Sequence, residues 1–196
     1  MKKIIALLLV CMAIGQPLLF AQNSLQGIYL SRKDCSNNHI SFSPIKEKKY
    51  KLKLYQFLNN PTIKITIGDS MYTLNKDSIF GYRDNKNIVH RFYKKNLYTV
   101  LNPTESILLY SRTYLGGYKN TPLDIQYFFS TPTNDAVQPL TKWNLKKVFL
   151  HDTAFYQLLD MAFINDSDLL KYDSFYKMYK LNQVFQYAQQ LTTTLK

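Results

Sequence analysis

The chain has 196 residues and a formal net charge of +12, with 25 basic against 13 acidic side chains, 15% aromatic content and only six glycines and seven prolines. That balance excludes a disordered or low-complexity chain, which lacks the apolar and aromatic content to fill a core, and the length fits one domain. The two cysteines, Cys11 and Cys35, exclude a disulfide framework.

The first 21 residues read as a cleavable export signal. Lys2 and Lys3 precede an uncharged run from Ile4 to Gly15, and Gln16-Pro17 interrupts it before Leu18-Leu19-Phe20-Ala21. Two cations, an apolar helix and a small-residue cut site are the grammar of such a leader. The cut is placed after Ala21; Leu19 is larger than the small residue preferred there, which leaves Ala13 and Gly15 as alternative neighbours. A membrane anchor needs roughly 20 apolar residues, more than this run supplies. Lipidation of Cys11 wants a small residue before it, and Val10 stands there. Cleavage lowers the formal charge from +12 to +10, leaves residues 22–196 as the expected domain, and leaves Cys35 as its single thiol. Cys35 is expected to be buried as a small apolar side chain.

From residue 27 to about 130 the chain alternates apolar and polar positions with turn residues between the runs, the period of antiparallel strands. Tyr50-Lys51-Leu52-Lys53-Leu54 and Ile63-Lys64-Ile65-Thr66-Ile67 put apolar residues on one face and cations on the other, with Asn59-Asn60-Pro61 as a turn between them. Further runs are Ser78 to Arg83, Ile88 to Tyr93, Leu97 to Leu101, Ser106 to Tyr114 and Asp124 to Phe129. Asp84 to Asn87, Asn102-Pro103 and Gly116-Gly117 punctuate them. No helical crossover separates the strands, so the expected sheet is an antiparallel meander.

After Pro139 the period becomes helical. Thr141 is a candidate N-cap for a helix carrying Leu145, Val148 and Phe149, and Asp152 for one carrying Phe155, Leu158, Leu159, Ala162 and Phe163. A third stretch, from about Tyr172 to Gln190, places Tyr172, Phe175, Tyr176 and Tyr179 at helical spacing, with Met178, Leu181 and Phe185 beside them. The expected fold class is α+β, with strands at about 27–130 and three amphipathic helices at about 141–190 covering one sheet face.

Searching for chemistry, the sequence shows no phosphate-binding glycine loop, nucleophile elbow or zinc-ligand spacing. No cofactor or metal is expected, and His39, His90 and His151 read as surface or edge-strand residues. Asp166, Asp168 and Asp173 lack the glycine and closing glutamate of a calcium loop and read as helix caps. The run from Lys46 to Lys53 is the strongest charge feature. Lys48, Lys49, Lys51 and Lys53 read either as guards against edge-to-edge pairing or as a site for an anionic glycan or lipid head group. Nucleic acid is disfavoured as a partner by export. Arg83 and Arg91, among aromatics on a predicted hairpin, are candidates for gripping a carboxylate or for ordinary cross-strand pairing at the solvent. A catalytic site assembled from His90, Arg83 and Asp84 is the enzymatic alternative to a non-enzymatic binding or envelope-associated protein.

Three stretches carry a resemblance. Gly27 to Ser31 followed by Asp34 to Asn38, then Asp77 to Arg83, then Tyr172 to Asn182, resemble small exported proteins of Bacteroidetes-type bacteria to which no activity is assigned. The likeness implies compartment and architecture, and a packing role for Cys35 at a place usually held there by an aromatic. It transfers no catalytic residue.

Overall fold

The computed structural model describes residues 26–55, 60–114 and 124–194. The expected leader, Asn59 and the Gly116-Gly117 turn lie outside the described residues. Within them the fold is α+β, with antiparallel sheets first and most of the helices after them.

Seven strands form the larger sheet: β1 (Gly27–Tyr29), β5 (Gly81–Arg83), β6 (Val89–Tyr93), β7 (Asn96–Val100), β8 (Leu108–Tyr114), β9 (Asp124–Ser130) and β10 (Gln138–Pro139), adjacent in that order. β5 to β9 are the expected meander, and β10, beyond the expected strands, pairs with β9 at its edge. The chain between β1 and β5 holds a short helix, α1 (Arg32–Ser36), and a separate three-stranded sheet, β2 (Tyr50–Lys53), β3 (Thr62–Ile67) and β4 (Ser70–Asn75). The predicted strands are thus divided between two sheets. The run from Ser78 to Arg83 is also not one strand: Lys76–Ser78 is a 3₁₀ turn capped by the Asn75 side chain, and pairing starts only at Gly81.

Alternation sorts the larger sheet into two faces. On β8, Leu108 and Tyr110 point to one side and Leu109 to the other. The side that carries Leu109 is covered twice. Under the small sheet, Ile28, Tyr82 and Phe92 pack against Ile63 and Ile65 of β3; each fully buried isoleucine contributes about 2 kcal/mol of transfer free energy. Under the helices, Ile107, Leu109 and Phe129 meet Leu145 of α2 (Lys142–Val148), Phe155 and Leu159 of α3 (Thr153–Ala162), and Leu181 and Ala188 of α4 (Lys180–Thr194). Thr141 and Asp152 cap α2 and α3 as expected, accepting from the amides of Asn144 and Phe155. Buried Asn182 on α4 locks helix to sheet by accepting from the Ile107 amide and donating to its carbonyl, both at 2.8 Å.

The third predicted helix is shorter than expected. Residues 172–179 form a hairpin, β11 (Tyr172–Asp173) with β12 (Met178–Tyr179), and α4 begins at Lys180. Asp173 closes this hairpin instead of capping a helix: its carboxylate accepts from the amides of Phe175 and Tyr176, and Lys177 takes a left-handed φ of 53°. Among the described residues no helix is long and apolar enough to cross a membrane.

Candidate functional site

The strand pattern brings two of the predicted residues together. Arg83 faces Val89 and Gly81 faces Arg91 in the β5–β6 ladder, so the two arginines are diagonal neighbours on one sheet face. Gly81 is required there, because a Cβ would stand 1.9 Å from the His90 carbonyl oxygen. The expectation that both arginines pair at the solvent is corrected: Arg91 is only 3% exposed. It donates to the Tyr110 hydroxyl at 2.5 Å, the Ser130 hydroxyl at 2.9 Å and the Asp135 carbonyl at 2.6 Å, and pairs with the Asp135 carboxylate at 2.9 Å. The rings of Phe80, Tyr93 and Tyr110 surround its guanidinium.

A third arginine, which sequence reasoning did not single out, completes this arrangement. Arg32 on α1 donates to Ser130, to the Thr131 and Ser106 carbonyls and to Asp135. No local signal marks it, since its partners lie 74 to 103 residues away. Together Arg32 and Arg91 staple the segment after β9 onto the sheet. Arg83 lies 5.6 Å from the Tyr29 ring, and among the described residues its buried Nε, like that of Arg91, has no hydrogen-bond partner. Cys35 is buried beside these cations. Burial pushes its thiol up to about 12, outweighing the pull of Arg83, Arg32 and Arg91 in the other direction, so at neutral pH it is an uncharged packing group.

The predicted lysines gather on the outer face of the small sheet. β3 alternates, with Ile63 and Ile65 buried and Thr62, Lys64 and Thr66 on the other side. Lys51 and Lys53 of β2 are exposed on that same outer side, where Lys53 stands directly opposite Lys64, and Lys51 opposite Thr66. Lys48 and Lys49 extend the stripe toward the β3–β4 turn, where the Lys49 carbonyl accepts from the Gly68 amide. The three strands carry no carboxylate. Among the described residues none of these lysines joins an ion pair.

His90, expected at a surface or edge, sits instead on an interior strand. Its Nε2 lies 3.0 Å from an Asp84 carboxylate oxygen and its ring stacks on Tyr82 at 4.7 Å. Burial raises the Asp84 carboxyl, but hydrogen bonds from His90 and from the amides of Ile88 and Lys86 hold it below its ordinary value. Arg83 points to the opposite sheet face, so the trio His90, Arg83 and Asp84 does not assemble; His90 and Asp84 do pair, and His90 lines a cleft of about 410 Å³. His39 and His151 are exposed.

Asp166 and Asp168 act as caps. Asp166 accepts from the Lys142 amide that opens α2, and Asp168 from the amides of Ile164 and Asn165. No group of three potential metal-ligating side chains occurs among the described residues. Comparison with protein-family models, with curated proteins and with solved structures yields no match.

Proposed function

We propose that the chain is a non-enzymatic, exported binding protein of the cell envelope that holds an anionic glycan on the outer face of its three-stranded sheet. The observation that carries this reading is the juxtaposition of Lys53 and Lys64, neither in an ion pair among the described residues, on strands without carboxylates. Like charges directly opposite each other destabilise a sheet, and a polyanion laid across them reverses that effect. Guarding an edge accounts for Lys51 and Lys53 on outer strand β2, but β3 is the central strand, where Lys64 has no edge to guard. From Lys49 to Lys53 the stripe is about 13 Å long, enough for several charged units of a linear polysaccharide.

The direct test is retention on a heparin-type matrix as a function of salt. The wild-type domain elutes only at raised ionic strength, because contacts between exposed charges are screened within about 10 Å at 0.1 M. The triple variant Lys51→Gln, Lys53→Gln, Lys64→Gln elutes early. Equal retention of the two proteins defeats the proposal, and a preference for anionic vesicles over the glycan makes lipid head groups the partner. Export itself rests on the leader, and is checked by finding a chain that starts near Gln22 outside the cytoplasm.

A further inference from the structure

On the helix-covered side of the larger sheet, a strip of β7 and β8 lies between the small sheet and the helices. The register sets Thr99 opposite Ser111, and Thr113 follows two residues on along the same face. These three side chains line the cleft of about 410 Å³, a size within the range of small-molecule sites. Among the described residues their hydroxyls make no hydrogen bond to other groups, unlike those of Tyr110 and Ser130 on the opposite face. The cleft has an apolar wall as well: Phe92 is buried but reaches it with its ring, and Lys76 stands 5.8 Å from the centre of that ring.

Two cations of the cleft come from turns, and a third lining residue, Arg112 of β8, holds its guanidinium over the rings of Tyr98 and Tyr114. Lys76 is half-buried, donates one hydrogen bond to the Asn60 carbonyl at 2.7 Å and has no carboxylate partner among the described residues. Lys95, at the β6–β7 turn with a left-handed φ of 63°, also joins no ion pair among the described residues. Burial lowers the affinity of Lys76 for its proton, and an anion placed beside it restores that affinity. Among the described residues Asp77 is the one carboxylate lining the cleft.

Hydroxyls in a row, an aromatic wall and two ammonium groups without a carboxylate partner among the described residues are complementary to a small polyhydroxylated anion. We infer that this cleft is a second binding site, separate from the basic stripe, for a single acidic sugar: its ring against Phe92, its hydroxyls on Thr99, Ser111 and Thr113, its acid group between Lys76 and Lys95. The inference does not rest on the glycan reading of the outer face. That stripe is an open surface for a chain, whereas the cleft has the volume of a monomer or dimer.

The experiment is a titration of the ¹⁵N-labelled mature domain with glucuronate, glucose 6-phosphate and glucose, following amide shifts. The expected result is saturable shifts on β7, β8 and the Lys76 and Lys95 turns with both anions, and binding about tenfold weaker with glucose. Lys76→Gln weakens the anions about tenfold and leaves glucose unchanged, while Ser111→Ala, an outward-facing truncation checked by its unchanged melting temperature, weakens all three. The triple lysine variant of the small sheet binds as wild type. Absence of saturable shifts with both anions overturns the site, as does binding that Lys76→Gln and Ser111→Ala leave untouched; loss of binding in the triple lysine variant alone transfers the ligand to the outer face.

Discussion

Two strands of this molecule carry a cation at a central position and treat it in opposite ways. On β6, Arg91 is buried and its terminal nitrogens are met by a tyrosine, a serine, a carbonyl and a carboxylate. On β3, Lys64 stands among other lysines with no carboxylate on the strands around it. The difference lies in what the chain supplies from far away. Tyr110 and residues 130–135 deliver oxygens to Arg91, making its burial tolerable, whereas among the described residues no carboxylate pairs with Lys64. A buried cation with partners is part of the architecture, and a half-buried one without an ion-pair partner is available to a ligand.

That contrast breaks or sharpens under substitution. Arg91→Met removes the donor from Tyr110 and Ser130 and leaves the Asp135 carboxylate with Arg32 alone; the loss is expected to be about 3 kcal/mol in urea unfolding, with one broken buried network as its cause. A loss below about 1 kcal/mol shows the network to be incidental. Gly81→Ala, opposite Arg91, forces β5 away from the His90 carbonyl and is expected to cost about 2 kcal/mol, again by urea unfolding. The Asp84–His90 pair sits between the extremes. The folded-state pKa of Asp84 is lowered, so its contribution is full above the unfolded carboxylate value and is lost as pH falls through the folded one. Asp84→Asn should flatten the acid side of the stability–pH curve, and an unchanged slope denies the pair a role. Smallest, and opposite in sign, is Lys64→Thr: relief from Lys53 stabilises by about 0.3 kcal/mol, while anion binding weakens. A destabilised Lys64→Thr erases the distinction between the two strands.

The parts legible from sequence are those decided by neighbours within a turn or two. The alternation in Tyr50 to Lys53 and Thr62 to Ile67 gives the inner and outer faces of the small sheet directly, and the caps at Thr141 and Asp152 follow from short-range hydrogen bonding. Residues 172–179 mislead because Tyr172, Phe175, Tyr176 and Tyr179 are spaced as a helix stripe. Their backbone is instead turned by the Asp173 carboxylate, and Tyr172 meets Tyr179 across the hairpin as an edge-on ring pair at 5.4 Å. β4 escapes for another reason: its side chains are mostly exposed, so burial imposes little period on Ser70 to Asn75. Arg32, and the hydroxyl row of Thr99 and Ser111, come together only through pairings distant in sequence.

The insertion of the small sheet between β1 and β5 has a kinetic corollary. β2 to β4 and β5 to β7 are joined by neighbouring hairpins, whereas Ile28 reaches Tyr82 only after closure of a loop of about fifty residues. β1 should therefore dock last, onto a platform already formed by the later hairpins. Until it does, the free edge of β5 is open to any extended segment, and pulsed hydrogen exchange during refolding should find the Phe80 amide, which donates to the Tyr29 carbonyl, protected after the amides of β6 and β7. A chain synthesised amino end first thus presents its last-placed strand ahead of the surface that strand must find.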